Sequence, residues 1–535
     1  MKYRFIVLIV LAAACSRPYA KPEASVENAV ATGWAAATLP QIRDALHNGD
    51  IAAEALVGIY LERIHAVDRA GPTLQSVLAL NPNALDEAKA LDAKRATGGV
   101  LGPLHGVPVL IKDNIETRDA MATTAGALAL KNNVTGRDSP LVAGLRAAGA
   151  VILGKANLSQ WANFRSNDSM SGWSALGGQV RNPHVLDRNP CGSSSGSGAA
   201  VAASLAAGAV GTETNGSIIC PSAINGIVGF KPTLGLVSQQ YIIPISFSQD
   251  VAGPMTKTVL GAAMMLTAMA DGPAATDYVS ALDENALRGA RIGVLRFAQG
   301  SSNDIKARFD AALAAMEAAG AVLVEIEEFT ARDADFGEQS RAVLDYEFKA
   351  SITEYLANTP VAGQPRSLAE LIAFNEDNAA VEMALFDQSI FVEAQARGGL
   401  DDPEYLKARD TVQRLTGAEG IDKLLAEYDA DILVAPSGPI APRIDPVNGD
   451  TWPAWAGAGW MAAIAGYPHA SVPAGTVHGL PFGVSFIGAA DTDAEVLSFA
   501  YAYEQRTNLR AAPRYLKNTQ ERPELAAAMK PARGN

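Results

Sequence analysis

Short apolar runs alternate with stretches of helical periodicity along nearly the whole chain, and this alternation constrains the fold more than any other feature. Apolar residues recur at helical spacing in three early stretches, which are 39–67, 83–95 and 143–148. Four runs have the length and composition of buried strands: Val107 to Ile111, Val151 to Leu153, 432–434 and 483–487. This order predicts an α/β fold, a single large domain with a mixed β-sheet core covered by helices on both sides.

The domain organisation follows from the absence of any linker, internal repeat or low-complexity segment in the 535 residues. We expect one domain over residues 36–535, with enough hydrophobic sequence, 48%, for a large core. The stretch from about Ile305 to Tyr428 carries more charge and has helical periodicity. We interpret it as a helical insertion around 305–428.

The pattern of residues 1–20 predicts a signal peptide, so we do not expect these residues to be part of the fold. Lys2 and Arg4 form a basic start, and the apolar run from Phe5 to Ala14 is too short to span a bilayer as a helix. The run leads into Ala-Ala-Ala-Cys15, which resembles the lipobox of bacterial lipoproteins. We expect an exported protein, either periplasmic or attached to the membrane only by a lipid on Cys15. An ordinary secretory peptide cut before Lys21 is the alternative.

Charge and cysteine content exclude several classes of function. The formal net charge is −14, and no basic patch offsets it, so we expect no nucleic-acid partner. Six scattered histidines and three cysteines lack the spacing of a metal site, and no metal or cofactor is predicted. Besides Cys15, Cys191 and Cys220 either pair in an oxidising compartment or remain buried free thiols.

Three segments carry residues suited to chemistry. Lys112 directly follows an apolar run, where an ammonium group is costly unless it is paired or neutral; a lysine that snorkels from a strand end is the alternative. Ser193 lies in the Gly/Ser string 191–198, which lets hydroxyls approach a ligand closely but is also typical of plain turns. Ser217 follows an Asn-Gly turn whose backbone N–H groups suit an oxyanion hole.

In this order the three segments resemble the amidase signature family of serine hydrolases, and the likeness extends from about Leu39 to about Arg510. Further matching stretches are 102–108, 123–126, 229–233 and 479–483. The resemblance implies that Ser217 is the nucleophile, Lys112 the base and Ser193 a bridging serine that follows a cis peptide bond. These roles suit the residues, because a serine hydroxyl needs an adjacent base and a lysine kept neutral by burial can serve.

The same resemblance implies an amidohydrolase that forms an acyl-enzyme on Ser217. The N–H groups near Thr214, Asn215 and Gly216 would hold the oxyanion. Many family members have glycine at the position of Asn215, so its side chain either narrows the pocket or caps the turn.

The substrate class is indicated by two further features. Stretches 155–166 and 171–174 resemble bacterial peptide amidases, which remove C-terminal amides from peptides. Members that bind a substrate carboxylate place an arginine two or three residues after the nucleophile, where this chain has Ile219 and Cys220. Both features, with the export signal, argue against the A subunit of the tRNA-dependent amidotransferase. We expect a peptide or small-molecule amide as substrate.

Several alternatives remain open. An aryl or alkyl amide or ester hydrolase of the same family is the alternative to a peptide amidase. The string 192–196 also fits the nucleophile elbow of an α/β-hydrolase-type esterase, with Ser194 as nucleophile and His469 or His478 as base. An exported binding protein on the same scaffold is a non-enzymatic alternative. Five tryptophans either line a substrate entrance or pack in the core: Trp161, Trp173, Trp452, Trp455 and Trp460.

Overall fold

The computed structural model of the protein describes residues 33–329, 335–452 and 454–530. The predicted signal peptide 1–20 and Cys15 therefore lie outside the described residues. Within the described ranges, no helix combines the length and the apolar character that crossing a membrane requires.

Strands and helices alternate in the first half of the chain, and helices dominate from residue 336 to residue 427. The strands are β1 (Val77–Leu80), β2 (Pro108–Lys112), β3 (Val151–Ala156), β4 (Trp173–Ser174), β5 (Gly178–Gln179), β6 (Gly208–Glu213), β7 (Val228–Lys231), β8 (Val251–Thr256), β9 (Arg291–Leu295), β10 (Val322–Ile326), β11 (Ile432–Pro436), β12 (His469–Val477) and β13 (Leu480–Ile487). The helices are α1 (Leu39–Asn48), α2 (Ala53–Arg63), α3 (Ala84–Ala96), α4 (Pro140–Ala147), α5 (Ser195–Ala202), α6 (Ile219–Asn225), α7 (Val259–Met269), α8 (Asn303–Ala318), α9 (Phe336–Asn358), α10 (Leu368–Asp377), α11 (Ala379–Glu382), α12 (Ser389–Ala396), α13 (Pro403–Thr416), α14 (Asp422–Glu427), α15 (Gly459–Ala465), α16 (Asp493–Thr507) and α17 (Pro523–Ala528).

Eleven strands form one mixed sheet, in the order β1-β3-β2-β6-β8-β7-β12-β13-β11-β9-β10. Strand β2 runs parallel to both of its neighbours, β3 and β6. Strands β6 and β8 are antiparallel, as are β12 and β13. The prediction of an α/β fold with a mixed sheet is confirmed.

The central strands are buried along their whole length, which explains why they are continuous apolar runs in the sequence. Every residue of β2, β3 and β6 is buried. Strands covered by other elements on both faces show this pattern, rather than the alternation of a strand with one wet face. The predicted strand runs at 107–111 and 151–153 therefore correspond to β2 and β3.

The region around 305–428 is less uniform than the sequence predicted. Helices α9 to α14 occupy residues 336–427, but Val322–Ile326 forms β10 at the edge of the sheet. This strand pairs in parallel with β9 and has exposed as well as buried residues. The helical prediction was wrong at β10 because its apolar run, Val322-Leu323-Val324, is as short as the one at 432–434 and lies within a charged stretch of helical periodicity.

Parallel pairing of β2 with β6 brings two distant parts of the sequence together. Ile111 is the register partner of Val210, so Lys112 and Thr212 lie at the same end of adjacent strands. The carboxyl ends of parallel strands form one edge of a sheet, where ligand sites of open α/β sheets are found. This edge holds the candidate site.

Candidate active site

Lys112 is the last residue of β2 and is completely buried. Its Nζ atom lies 2.8 Å from Ser193 Oγ, 2.7 Å from Thr212 Oγ1 and 3.2 Å from the Thr212 carbonyl oxygen. No carboxylate among the described residues is close enough to form an ion pair with it. Lys112 is therefore bound only to neutral oxygen atoms.

Burial governs the protonation of Lys112. Loss of hydration lowers its pKa from the usual value near 10.5 to about 7, although the negative charges of Asp250 and Glu213 act in the opposite direction. A lysine with such a pKa is substantially neutral near pH 7 and can accept a proton. The snorkelling alternative is wrong, because the amino group has no exposed surface.

Ser193 lies in the loop before α5 and is fully buried. The peptide bond between Gly192 and Ser193 is cis, as the resemblance implied. The carbonyl oxygen of Ser193 accepts the N–H of Ser159 at 3.1 Å. Its hydroxyl is thus held against Lys112 by a fixed backbone.

The other serines of the Gly/Ser string bond to the backbone. Ser194 Oγ donates to the Thr212 carbonyl at 3.0 Å, and Ser195 Oγ donates to the Cys191 carbonyl at 2.6 Å. Ser197 Oγ donates to the Val210 carbonyl at 3.0 Å. These three hydroxyls tie the string to its neighbours, whereas the hydroxyl of Ser193 lies against the amino group of Lys112.

Ser217 lies in the turn between β6 and α6, and it retains 8% of its surface whereas Ser193 retains none. Its carbonyl oxygen accepts the N–H of Ser194 at 3.2 Å, which joins the two serine segments. The side chain of Ser217 donates to no described residue. Of the two predicted catalytic serines, Ser217 is the one with access to a ligand.

Glu213 shapes the turn that carries Ser217. Its Oε2 atom accepts the N–H groups of Ile218 at 2.7 Å and Ile219 at 3.0 Å. A carboxylate at this place caps the first turn of α6 and suits the positive end of its dipole. Gly216, with a φ of +82°, supplies the left-handed conformation that the turn needs.

The N–H groups predicted to form the oxyanion hole have no competing acceptor. Among the described residues, the backbone N–H groups of Thr214, Asn215, Gly216 and Ser217 donate to no acceptor. Thr214 is fixed through its hydroxyl, which donates to Asp250 Oδ1 at 2.6 Å. The turn therefore leaves several donors available to an anion beside Ser217.

Cys191 and Cys220 form a disulfide bond, which decides between the two alternatives that the sequence left open. Cys191 comes two residues before Ser193, and Cys220 comes three residues after Ser217. The bond therefore ties the two serine segments together.

A cavity of about 220 Å³ opens beside Asn215 and Gly216. The disulfide cysteines and Gly192 form part of its wall. None of the described residues that line it is a lysine, arginine or histidine, and Asp450 is the charged residue among them. Ile219 and Cys220, the residues two and three positions after Ser217, are part of this wall.

Of the five tryptophans named in the sequence analysis, three line the cavity and two pack against phenylalanine rings. Trp452, Trp455 and Trp460 line the cavity, as the entrance alternative predicted. Trp161 instead packs edge-on against Phe391 with ring centres 5.7 Å apart. Trp173 packs in the same way against Phe386 at 5.1 Å.

The esterase alternative is not supported by the geometry. His469 is buried and lies 2.6 Å from Ser485 Oγ, while the exposed His478 lies 3.3 Å from an oxygen of Asp304. Neither histidine contacts Ser194. In addition, no group of described histidine, cysteine and acidic residues is arranged to hold a metal ion.

Two contributors to the site were not found by sequence reasoning. Thr212 fixes Lys112, and its position next to the Ser217 turn was the available signal. Asp450 lines the cavity from a loop far along the chain, and nothing in the sequence connected it with Ser217.

Comparison with known proteins identifies the family to which the chain belongs. The sequence model of the family described as Amidase matches residues 55–497. A probable amidase of Arabidopsis thaliana is 36% identical over 504 residues, covering 90% of this chain and 92% of that protein. The A subunit of a glutamyl-tRNA(Gln) amidotransferase from Halorhodospira halophila is 34% identical over 493 residues, covering 88% and 97%. The chain belongs to the amidase family, with the amidase signature, and is a hydrolase of carbon–nitrogen amide bonds.

Among solved structures, those of peptide amidases are similar to this chain in both sequence and fold. The peptide amidase from Stenotrophomonas maltophilia is 46% identical with a TM-score of 0.85, covering 90% of this chain and 99% of that chain. A structure of the peptide amidase PAM with the competitive inhibitor chymostatin is 47% identical, with a TM-score of 0.86 and the same coverage.

Proposed function

We propose that this amidase cleaves its substrate through an acyl-enzyme on Ser217, with Ser193 and Lys112 as the proton relay. The observation that carries the proposal is the 2.8 Å contact between the buried Lys112 Nζ and Ser193 Oγ, without an ion pair from any described carboxylate. A base beside a serine is the arrangement that nucleophilic catalysis needs.

Contacts of Lys112 define the direction of the relay. A neutral amine has two N–H bonds and one lone pair, and the two Thr212 oxygens accept the N–H bonds. The lone pair is then left for the hydroxyl proton of Ser193. As Ser193 gives this proton to Lys112, its own oxygen takes the proton of Ser217, and Ser217 Oγ attacks the amide carbonyl carbon.

In the remaining steps Lys112 returns its proton through Ser193, and the relay then accepts and returns a second proton during hydrolysis of the acyl-enzyme. Attack creates an oxyanion, which the free N–H groups of the 214–217 turn stabilise. The C–N bond breaks as Ser193 donates a proton to the leaving nitrogen and is reprotonated by the Lys112 ammonium. Water then gives a proton to the relay, attacks the acyl-Ser217 ester and releases a carboxylic acid. Every proton taken up by Lys112 is returned within the cycle.

The substrate class that we propose is a peptide carrying a C-terminal amide. The 46–47% identity to peptide amidases, against 34% to the amidotransferase subunit, supports this choice. A cavity lined by tryptophans and lacking a described basic residue also disfavours an acyl group that bears a carboxylate. An activity profile over peptide amides, aliphatic amides and aryl amides tests it, and a preference for aryl or alkyl amides would contradict it.

A serine-directed phosphonofluoridate probe tests the nucleophile. We expect the wild-type protein to gain one phosphonyl adduct on the peptide containing Ser217, detected by mass spectrometry, and Ser217→Ala to gain none. The matched control is Ser194→Ala, which removes the hydroxyl of the esterase alternative and should still be labelled. Labelling lost in Ser194→Ala and kept in Ser217→Ala would overturn the assignment.

We also propose that the protein is exported, and that Cys15 carries a lipid. The disulfide between Cys191 and Cys220 supports export, because disulfides persist in oxidising compartments and are rare in the cytosol. The basic start, the short apolar run and the cysteine at 15 support a lipoprotein signal.

A further inference from the structure

Asp450 is the charged residue among the described lining of the cavity beside Asn215 and Gly216. Its Oδ1 atom accepts the N–H of Ser171 at 3.0 Å and the side-chain amide of Asn189 at 2.8 Å. Both bonds go to the same oxygen, so the carboxylate is fixed in one orientation. The Ser171 hydroxyl also bonds to this carboxylate.

No cation neutralises this carboxylate within the described part of the chain. Asp450 forms no ion pair there, and the lining includes no lysine, arginine or histidine. Burial raises the pKa of Asp450, which shows that its environment disfavours the negative charge. A buried charge of this kind is stabilised when a ligand brings the opposite charge.

Asn163, in the wall of the same cavity, is held by the segment that also holds Asp450. The side-chain oxygen of Asn163 is buried and has no hydrogen-bond partner among the described residues. The side-chain nitrogen of Asn163 is occupied, since it donates to Ser171 Oγ at 3.0 Å. Because Ser171 is also the residue whose N–H fixes Asp450, the two acceptors are held by one segment. A carboxylate without a cationic partner in this cavity wall favours a ligand group that carries positive charge.

Aromatic rings in the same wall also favour a cation. Trp452 and Trp455 line the cavity and lie perpendicular to each other, with ring centres 5.8 Å apart. The face of an indole ring attracts an ammonium group, and Trp is the strongest of the aromatic residues in this respect. A carboxylate beside tryptophan faces is a combination that recognises an amine.

We propose that Asp450 selects amide substrates that carry a protonated primary amine near the scissile amide, such as unblocked amino-acid amides and short peptide amides. This inference rests on the proposed function and deepens it. The ammonium group binds between Asp450 and the tryptophans, while the scissile carbonyl lies at the turn 214–217. Asp450 determines specificity, and it takes no part in proton transfer.

The test compares two substrates in one protein preparation, phenylalaninamide and N-acetyl-phenylalaninamide, at neutral pH. Asp450→Asn keeps an oxygen for Ser171 and Asn189 but removes the charge. We expect the ratio of kcat/KM for the free amine to kcat/KM for the acetylated amide to fall by about tenfold or more, as for the loss of a charge-assisted contact. The change should lie mainly in KM. This ratio does not depend on the fraction of folded protein, so partial instability of the variant does not affect the result.

Two further variants complete the design. Asp450→Glu, which restores the charge, should recover part of the ratio. Asp401→Asn changes an exposed carboxylate outside the cavity lining and should leave the ratio unchanged. A ratio in Asp450→Asn equal to that of the wild type, with both substrates hydrolysed, would overturn the inference and leave the proposed function intact. No turnover of either amide by the wild type would overturn both.

Discussion

Lys112 Nζ lies 2.8 Å from Ser193 Oγ, and its other two contacts are both oxygens of Thr212. In most proteins a buried lysine is paired with a carboxylate, which keeps it protonated. Here the partners are a serine hydroxyl, a threonine hydroxyl and a carbonyl. These uncharged partners favour the neutral amine, which is the form of lysine that can accept a proton.

The activity should depend on pH through Lys112. The relay needs the neutral amine, and burial lowers the lysine pKa to about 7. We expect kcat/KM to be low in acid and to rise to a plateau as pH increases through about 7, measured with an acetylated amide that does not itself titrate. A lysine with an ordinary pKa would instead place the rise in the alkaline range, and that result would contradict the role of Lys112.

Replacing Asp250 should move this pH profile toward acid. The negative charge of Asp250 raises the pKa of Lys112, so Asp250→Asn removes a factor that favours the protonated amine. We expect the rise in kcat/KM to occur at lower pH than in the wild type, while Asp401→Asn leaves it unchanged. An unchanged or alkaline-shifted profile in Asp250→Asn would argue against this electrostatic coupling.

The two serines should behave as one unit in double-mutant kinetics. Ser217→Ala removes the nucleophile and Ser193→Ala breaks the path to Lys112, so each should lower kcat by roughly 10⁴-fold or more. The double variant should be hardly slower than either single variant. Once one serine is missing, the proton can no longer pass from Ser217 to Lys112, so removing the other serine has little further effect. Melting temperatures near that of the wild type would show that the fold is kept. Additive losses would indicate that the serines act independently.

The disulfide should stabilise both the fold and the site. Cys191 and Cys220 are 29 residues apart in sequence, and closing a loop of this size stabilises the folded state by about 3.5 kcal/mol. We expect the double variant Cys191→Ala/Cys220→Ala to show that loss in urea unfolding, together with a lower kcat. Cys15→Ser, which lies outside this bond, is the control. Two reactive thiols in the unreduced, denatured control protein would contradict the pairing.

Lipidation should depend on Cys15. In a bacterial host grown with an alkyne analogue of palmitate, we expect the full-length chain to be labelled and to sediment with membranes. Cys15→Ser should lose the label, whereas Ser16→Ala should keep it. An unlabelled, soluble periplasmic protein with a new N-terminus before Lys21 would favour the ordinary secretory peptide instead.

Much of this site is already contained in local sequence. The apolar run that ends at Lys112, the Gly/Ser string around Ser193 and the Asn-Gly turn before Ser217 each have a conformation fixed by nearby residues. Strand burial and turn geometry are short-range effects that can be read from such segments, and the class of enzyme was predicted from the resemblance of the three segments, in this order, to the amidase signature family. The mixed sheet was predicted on the same basis, but the edge strand β10 was not, because pairing with β9 decided it.

Only the tertiary structure decided which groups meet. Parallel pairing of β2 with β6 brings Thr212 to Lys112, although the two residues are 100 positions apart. The disulfide and the place of Asp450 in the cavity depend in the same way on contacts between distant segments. The pKa of Lys112 also depends on the tertiary structure, because burial removes the water around the amino group. The sequence by itself predicted Lys112, Ser193 and Ser217 as candidate catalytic residues, whereas packing determined the pKa of Lys112 and placed the charge of Asp450 in the cavity.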